Sequence, residues 1–403
     1  MINKQIFQFP IHYTVPIGKI AIGWGAHTTV ADECKAAGIK KALITTTGLK
    51  GTGIVDEING ILKAGGISTE IFDRVTSNPK DHEVMEAYQV FKEAGCDGVV
   101  SVGGGSSHDC GKAVRGVAAN GGKYVCDMAV FLDPPWMEVI KKLKPITVPQ
   151  ITVNTTAGTG AEATDGAVIT NTKARAKQVV LVPGATPTAA LIDPLLIRLM
   201  PKNIAAWTGF DALAHAFEGF VTRVHCKHSS ALALGTMKII SENLREFVYN
   251  RMNHAACENM CWAESMAGTG IMFGAGVGMV HGLAHQISAL TGAHHGRTIA
   301  AMALAGERYN ETACPEKFAE MARAMGVDTR GMTVMQAADK WLEEIERLLQ
   351  DLDITPGHLN EQFGLQKKDL KHVVTVYSND WCQEGNPRDF NYDDCIKLLE
   401  DIF

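Results

Sequence analysis

The residues best suited to chemistry lie in the second half of the chain. In GFDALAHAFEGF (209–220), Asp211 and His215 stand four apart, which puts them on one face of a helix. In GMVHGLAHQISALTGAHHG (278–296), His281 and His285 repeat that spacing, and His295 follows where the next helix should start. A carboxylate and neutral imidazoles suit Fe²⁺ or Zn²⁺. Their surroundings are apolar and glycine-rich, where an unpaired polar group is costly, so a shared ion explains them better than isolated core hydrogen bonds. His225, Cys226 and His228 in HCKH (225–228) also have metal-like spacing. Polar Thr222, Arg223, Ser229 and Ser230 flank them, and the segment reads instead as a helix start at the surface.

A second chemistry belongs to two small-residue loops in the first half. DGVVSVGGGSSHDCGKAV (97–114) reads as a strand, a glycine turn and the opening of a helix. Gly103, Gly104 and Gly105 allow backbone to approach a ligand closely, and the free N–H groups of the helix start attract phosphate. Asp109 and Lys112 read as a surface ion pair. NTTAGTGAEAT (154–164) follows another strand and offers hydroxyls at Thr155, Thr156 and Thr159 with backbone donors at Gly158 and Gly160. Two such loops in one α/β half point to a dinucleotide.

The elements that must position these groups fall into two textures. Short β-rich runs, ALITTT (42–47), ISTEIF (67–72), GVVSV (98–102) and PITVPQITV (145–153), alternate with helical patterns such as 81–95, which predicts a doubly wound, mainly parallel α/β domain over 1–200. From Ile204 onward, Ala, Leu, Met and Glu recur at 3.6-residue spacing, which predicts an all-helical domain over 201–403. The site should lie in the cleft between them. The apolar stretch Gly268–Leu290 carries glycines and histidines and reads as a buried core helix, not a membrane span.

Composition narrows the partners. A net charge of −6 with no basic cluster argues against nucleic acid. Ten scattered cysteines without a CxxC pair fit reduced thiols, and the opening MINKQIFQFPIHYTVPIGK breaks any signal-peptide core with Gln, His and Pro, so a cytoplasmic enzyme is expected.

Taken together, GGGSSHDCGK, NTTAGTGAE, GFDALAHAFE, VHGLAH, HHG and GNPR (385–388) resemble, in order and spacing, the iron-containing (group III) alcohol dehydrogenases, from about Phe9 to Phe403. The SSHD, TTTGLKGTG, HHG and DWCQEGNPR segments are most similar to the methanol dehydrogenase and nitrosoaniline-dependent alcohol oxidoreductase branches. The resemblance implies metal ligands Asp211, His215, His281 and His295, with His285 unligated as a proton relay. It implies cofactor contacts at Asn78, Gly104, Gly105, Ser106, Asp109, Thr155, Thr156, Thr159 and Lys177. The implied function is hydride transfer between NAD(H) and a small primary alcohol or aldehyde, in a homo-oligomer. The same two-domain plan resembles dehydroquinate synthase, but that chemistry calls for several converging Lys and Arg residues, and around the ligands here stands chiefly Arg297. A non-catalytic subunit would have no use for the retained ligands.

Some residues depart from the family pattern. Thr47 stands where many members carry an acid that meets the adenosine ribose, so NADP(H) is admitted beside NAD(H). Asn154, Gln286 and His294 replace prolines, and Ala161 replaces a serine. Arg297, two residues after His295, offers a planar fork of donors that would suit a small anionic aldehyde such as sulfoacetaldehyde or succinic semialdehyde. Its alternative is a pair with Glu307 or a subunit contact.

Overall fold

The computed structural model describes residues 18–224, 226–270 and 276–403. The opening segment read above for targeting, all but its last two residues, lies outside them, as does His225.

The β-rich runs form strands where β-branched residues cluster. These are β1 (Lys19–Ile22), β2 (Lys41–Thr46), β3 (Ser68–Phe72), β4 (Gly98–Gly103), β5 (Ala129–Val130), β6 (Gln150–Asn154), β7 (Gly166–Asn171), β8 (Ala176–Leu181) and β9 (Ala189–Ile192). Six of them make one parallel sheet in the order β1-β9-β6-β4-β2-β3. The run at 145–153 yields a strand only from Gln150, because Pro145 and Pro149 lack the N–H a ladder needs. Helices α1 (Val30–Ala36), α2 (Ile54–Ala64), α3 (Asp81–Glu93) and α4 (Gly105–Ala119) supply the crossovers.

Alternation along β2 shows the double winding. Leu43 joins α3 and α4 in one core, while Ala42 and Ile44 join α1 and α2 in the other. The chain leaves β2 toward β3 and leaves β4 toward β6, so the loops after β2 and β4 part in opposite directions. That is the crevice in which open α/β sheets hold ligands.

A second sheet, β5-β8-β7, is antiparallel and was not expected from the sequence. Its hairpin turn has no Asn-Gly signal; Asn171 Oδ1 instead accepts from Ala174 N at 2.9 Å, a side-chain substitute for a turn bond.

After the short α5 (Trp136–Ile140) and α6 (Pro194–Ile197), the described chain is helical. It comprises α7 (Lys202–Val221), α8 (Lys227–Tyr249), α9 (His254–Gly270), α10 (Met279–Thr291), α11 (His295–Glu311), α12 (Pro315–Ala324), α13 (Val334–Asp351), α14 (Leu359–Phe363), α15 (Leu370–Tyr377) and α16 (Tyr392–Asp401). Trp341 anchors this core between the edges of Phe217 and Phe318, at 5.3 and 5.1 Å between ring centroids. The stretch Gly268–Leu290 is not one helix: it is shared between α9 and α10, with 271–275 outside the described residues. Among the described residues no helix is long and apolar enough to cross a membrane.

Candidate active site

Helices α7, α10 and the first residue of α11 bring Asp211, His281 and His295 together, with ligand atoms within 4.8 Å of one another. Asp211 Oδ1 lies 3.4 Å from His281 Nε2 and 3.6 Å from His295 Nε2. His215, one turn beyond Asp211, lays its ring against His281 at 4.4 Å between centroids but stands outside that tight group. Asp211 Oδ1, His281 Nε2, His215 Nδ1 and His295 Nδ1 are all buried without a hydrogen-bond partner. Buried polar atoms are otherwise nearly always satisfied, so the facing pair Asp211 Oδ1 and His281 Nε2, with His295 Nε2 beside it, fits a cation. Burial drives His215 down to about 4 and, aided by the Lys177 ammonium, His295 well below its ordinary range, leaving neutral donors. His281 is also buried, but the Glu218 and Asp211 carboxylates outweigh that and lift it to about 9, holding a proton that a divalent ion would displace.

Glu218 is a functional residue the sequence reading did not single out. It accepts from His281 Nδ1, fixing which ring nitrogen faces Asp211, and its Oε1 also accepts from Gly278 N at 3.0 Å and Val280 N at 2.8 Å. It therefore caps α10 while orienting its first histidine. Asn386 of the GNPR segment takes the remaining donor there, Met279 N, at 3.0 Å. The available signal was the 211-215-218 spacing, which continues one helical face.

His285 stands one turn along α10, its ring stacked on His295 at 5.1 Å. Burial, followed by the charge of Lys177, pushes its pKa well below the ordinary value, so it is neutral. Cys382 Sγ lies 3.9 Å from its Nδ1.

The glycine turn follows β4 at the crevice. A Cβ on Gly104 would sit 2.8 Å from Thr156 Oγ1, and one on Gly105 would sit 3.1 Å from Thr159 Oγ1, so the two loops pack face to face with little room for a side chain. Thr155 N donates to Gly103 O at 3.0 Å and completes the join. Thr47, directly after β2, donates its N–H to Ser107 Oγ at 3.1 Å beside this turn. Asn78, in a left-handed conformation with φ 57°, donates its main-chain N–H to Ser106 Oγ at 3.3 Å and its side-chain Nδ2 to Ala293 O at 2.9 Å. It thus ties the glycine loop to the corner before His295.

Several expectations change. Asp109 and Lys112 are not a surface pair: they meet at 2.9 Å in the interior, where Asp109 Oδ2 also accepts from Val168 N at 2.9 Å. Gly158 is not a free phosphate donor, because its N–H goes to Glu264 Oε2 at 3.2 Å. Glu264, from α9, also accepts from Asn154 Nδ2, and Asn154 in turn receives Thr156 N at 3.2 Å. Lys177 lies on β8, buried between Asp109 and Asp211; burial lowers it to about 8 although both carboxylates oppose the shift.

Arg297 does not face the metal donors. Its position two residues after His295 turns it to the opposite side of α11, where its guanidinium stands 5.0 Å from the Phe363 ring and 5.6 Å from the Trp207 ring and donates to Gln362 Oε1 at 3.3 Å. Glu307, the acid offered as its alternative partner, is buried near Asn310 instead. Cys226 caps α8 with Ser229, in keeping with a helix start.

This arrangement of buried cation donors next to a double glycine/threonine loop lies in a chain that matches one family over nearly all of its described residues. Residues 18–194 match the iron-containing alcohol dehydrogenase family, and residues 205–403 match the C-terminal region of the Fe-containing alcohol dehydrogenases. The chain belongs to the iron-containing alcohol dehydrogenase family.

It is 36% identical to a methanol:N,N-dimethyl-4-nitrosoaniline oxidoreductase from a Mycobacterium species, over 98% of this chain and 97% of that protein. It is 34% identical to the NAD-dependent methanol dehydrogenase of Bacillus methanolicus, over 94% and 96%. A solved 1,3-propanediol oxidoreductase superposes with a TM-score of 0.89 at 34% identity, covering 98% of this chain and 100% of that one. Family membership makes this chain an oxidoreductase that interconverts an alcohol and its aldehyde with NAD(H) and a divalent metal.

Proposed function

We propose that the substrate is a small, neutral primary alcohol or its aldehyde, and that Asp211, His215, His281 and His295 hold the metal. The observation that carries this reading is the approach of His281 Nε2, buried without a partner, and of His295 Nε2 to the likewise unpartnered Asp211 Oδ1. When bound, a divalent ion there polarises the substrate oxygen and so eases loss of hydride to nicotinamide.

The chain's own residues do the rest. Gly104, Gly105, Ser106, Thr155, Thr156 and Thr159 form the cradle for pyrophosphate and ribose, and buried Lys177 supplies a positive charge between cradle and metal donors. The join at Asn78 fixes the distance between the two. Asp109 acts through Lys112 and Val168 N, as a support for the loop. His285, neutral and next to His295, is placed to take the proton the alcohol gives up and pass it outward. We further propose iron as the resident ion with zinc as its competitor, and NADP(H) as a second, poorer cofactor admitted by Thr47. We also propose a division near residue 200, which the end of β9 at Ile192 and the start of α7 at Lys202 support. Homo-oligomeric assembly in the cytoplasm accompanies this reading.

Arg297 gives the anionic-aldehyde alternative little support, since its donors serve Gln362 and two aromatic faces.

The test is NAD⁺ reduction with short alcohols by protein reconstituted anaerobically with Fe²⁺ or Zn²⁺, alongside Asp211→Ala and His281→Ala. Both variants should lose metal and nearly all turnover yet still bind NADH. Full metal occupancy in either would overturn the ligand assignment.

A further inference from the structure

We infer that Gln286 is a positioning residue: its single amide fixes Lys177 on the α/β side of the cleft and the Asp380–Cys382 turn on the other. The inference rests on the reading above that the Lys177 ammonium serves bound cofactor.

Gln286 is completely buried on α10, next to His285. Its Oε1 accepts from Lys177 N at 3.2 Å, and its Nε2 donates to Lys177 O at 3.3 Å and to Asp380 Oδ2 at 2.9 Å. The first two bonds grip both main-chain groups of one residue, as a neighbouring strand would. They are needed there because β5 covers β8 only at Val179 and Val180, so the edge at Lys177 would otherwise be bare. The third bond reaches the C-terminal turn: Asp380 Oδ1 accepts from Cys382 N at 2.8 Å, and Cys382 is the residue against His285.

One side chain therefore sets the height of Lys177 relative to the helix that carries His281 and His285. A proline at this position would make none of these bonds, and an apolar residue would leave the Lys177 peptide and one Asp380 oxygen unsatisfied in the interior. Because the Lys177 ammonium is the charge this junction aims, loosening it should weaken cofactor binding before it slows the chemical step.

The experiment compares wild type with Gln286→Leu by metal content, NADH fluorescence titration, KM for NAD⁺ against kcat, and hydrogen exchange over residues 176–181. Expected for Gln286→Leu are full metal, rapid exchange at Lys177, and an NADH Kd and NAD⁺ KM each raised about tenfold, with kcat at saturating cofactor within about threefold. Gln286→Glu should be at least as poor, since it sets a carboxylate against Asp380. Adding Asp380→Asn restores a donor between the two and should recover part of the affinity, an effect that packing alone would not produce. If Gln286→Leu is too unstable to purify, the Gln286→Glu and Gln286→Glu/Asp380→Asn pair carries the comparison. Unaltered exchange at Lys177, or no recovery in the double variant, would overturn the inference. Failure of wild type to bind NADH would instead remove the cofactor reading, and the exchange result would still judge the junction.

Discussion

The Glu218 carboxylate accepts from His281 Nδ1 while taking the first main-chain donors of the helix that carries His281. Helix start and ligand orientation are thus one structure. Glu218→Gln keeps the volume but can present only one oxygen, with an N–H₂ where a second acceptor is needed. Metal affinity should fall about 10- to 100-fold, the scale for losing a partner that orients a ligand, with little change in helix content. Equilibrium metal titration followed by circular dichroism checks both halves.

Thr47 follows β2 directly, beside the glycine turn, and carries no charge. Thr47→Asp should raise the ratio of kcat/KM for NAD⁺ over NADP⁺, because a carboxylate accepts ribose hydroxyls and repels a 2′-phosphate. An unmoved ratio would place the ribose elsewhere.

Lys177 gives a pH dependence with two opposite signs. Burial favours the neutral amine, so the group titrates at about 8. Cofactor affinity that depends on its charge is present below that value and declines as pH rises through it. Stability runs the other way: between about 8 and the free-lysine value of ~10.4 the unfolded chain binds more protons, so this group's contribution to folding grows with pH. NADH titrations and urea midpoints measured from pH 6.5 to 10 should show both trends, and Lys177→Met should flatten them.

Arg297 packs between Trp207 and Phe363. Arg297→Ala should cost ~1–2 kcal/mol of stability through the lost cation–π contacts, read as a denaturant midpoint. It should lower kcat/KM for acetaldehyde and for succinic semialdehyde by the same factor. A selective loss on the anionic substrate would return Arg297 to the substrate channel.

Much of this site is legible in the sequence, for identifiable reasons. Strands β2, β4 and β6 announce themselves through β-branched runs, and Asp211, His215, His281 and His285 through helical spacing. The hairpin β7-β8 escapes notice because its turn is closed by Asn171 without a glycine. The charge pattern also misleads: Asp109 and Lys112 show an i, i+3 pair but not that a sheet covers it. What sequence alone cannot supply is the long-range polar pairing, Asn154 with Glu264, Gln286 with Lys177 and Asp380, and His281 with Glu218, whose members come from separate elements. Such partners have no periodicity to betray them, and only the fold brings them within reach.

The cap that Asn386 places on α10 sets an order of events during synthesis. Met279, His281 and His285 leave the ribosome roughly a hundred residues before Asn386 does, and Asp380 follows them almost as late. The sheet and its glycine turn can form while translation continues, since domains tend to fold as they emerge. The helix that brings two histidines to the ion still lacks one partner at its start then. Its last free donor, Met279 N, waits for Asn386, so the start of the helix that carries both histidines is locked by a segment that arrives long after it.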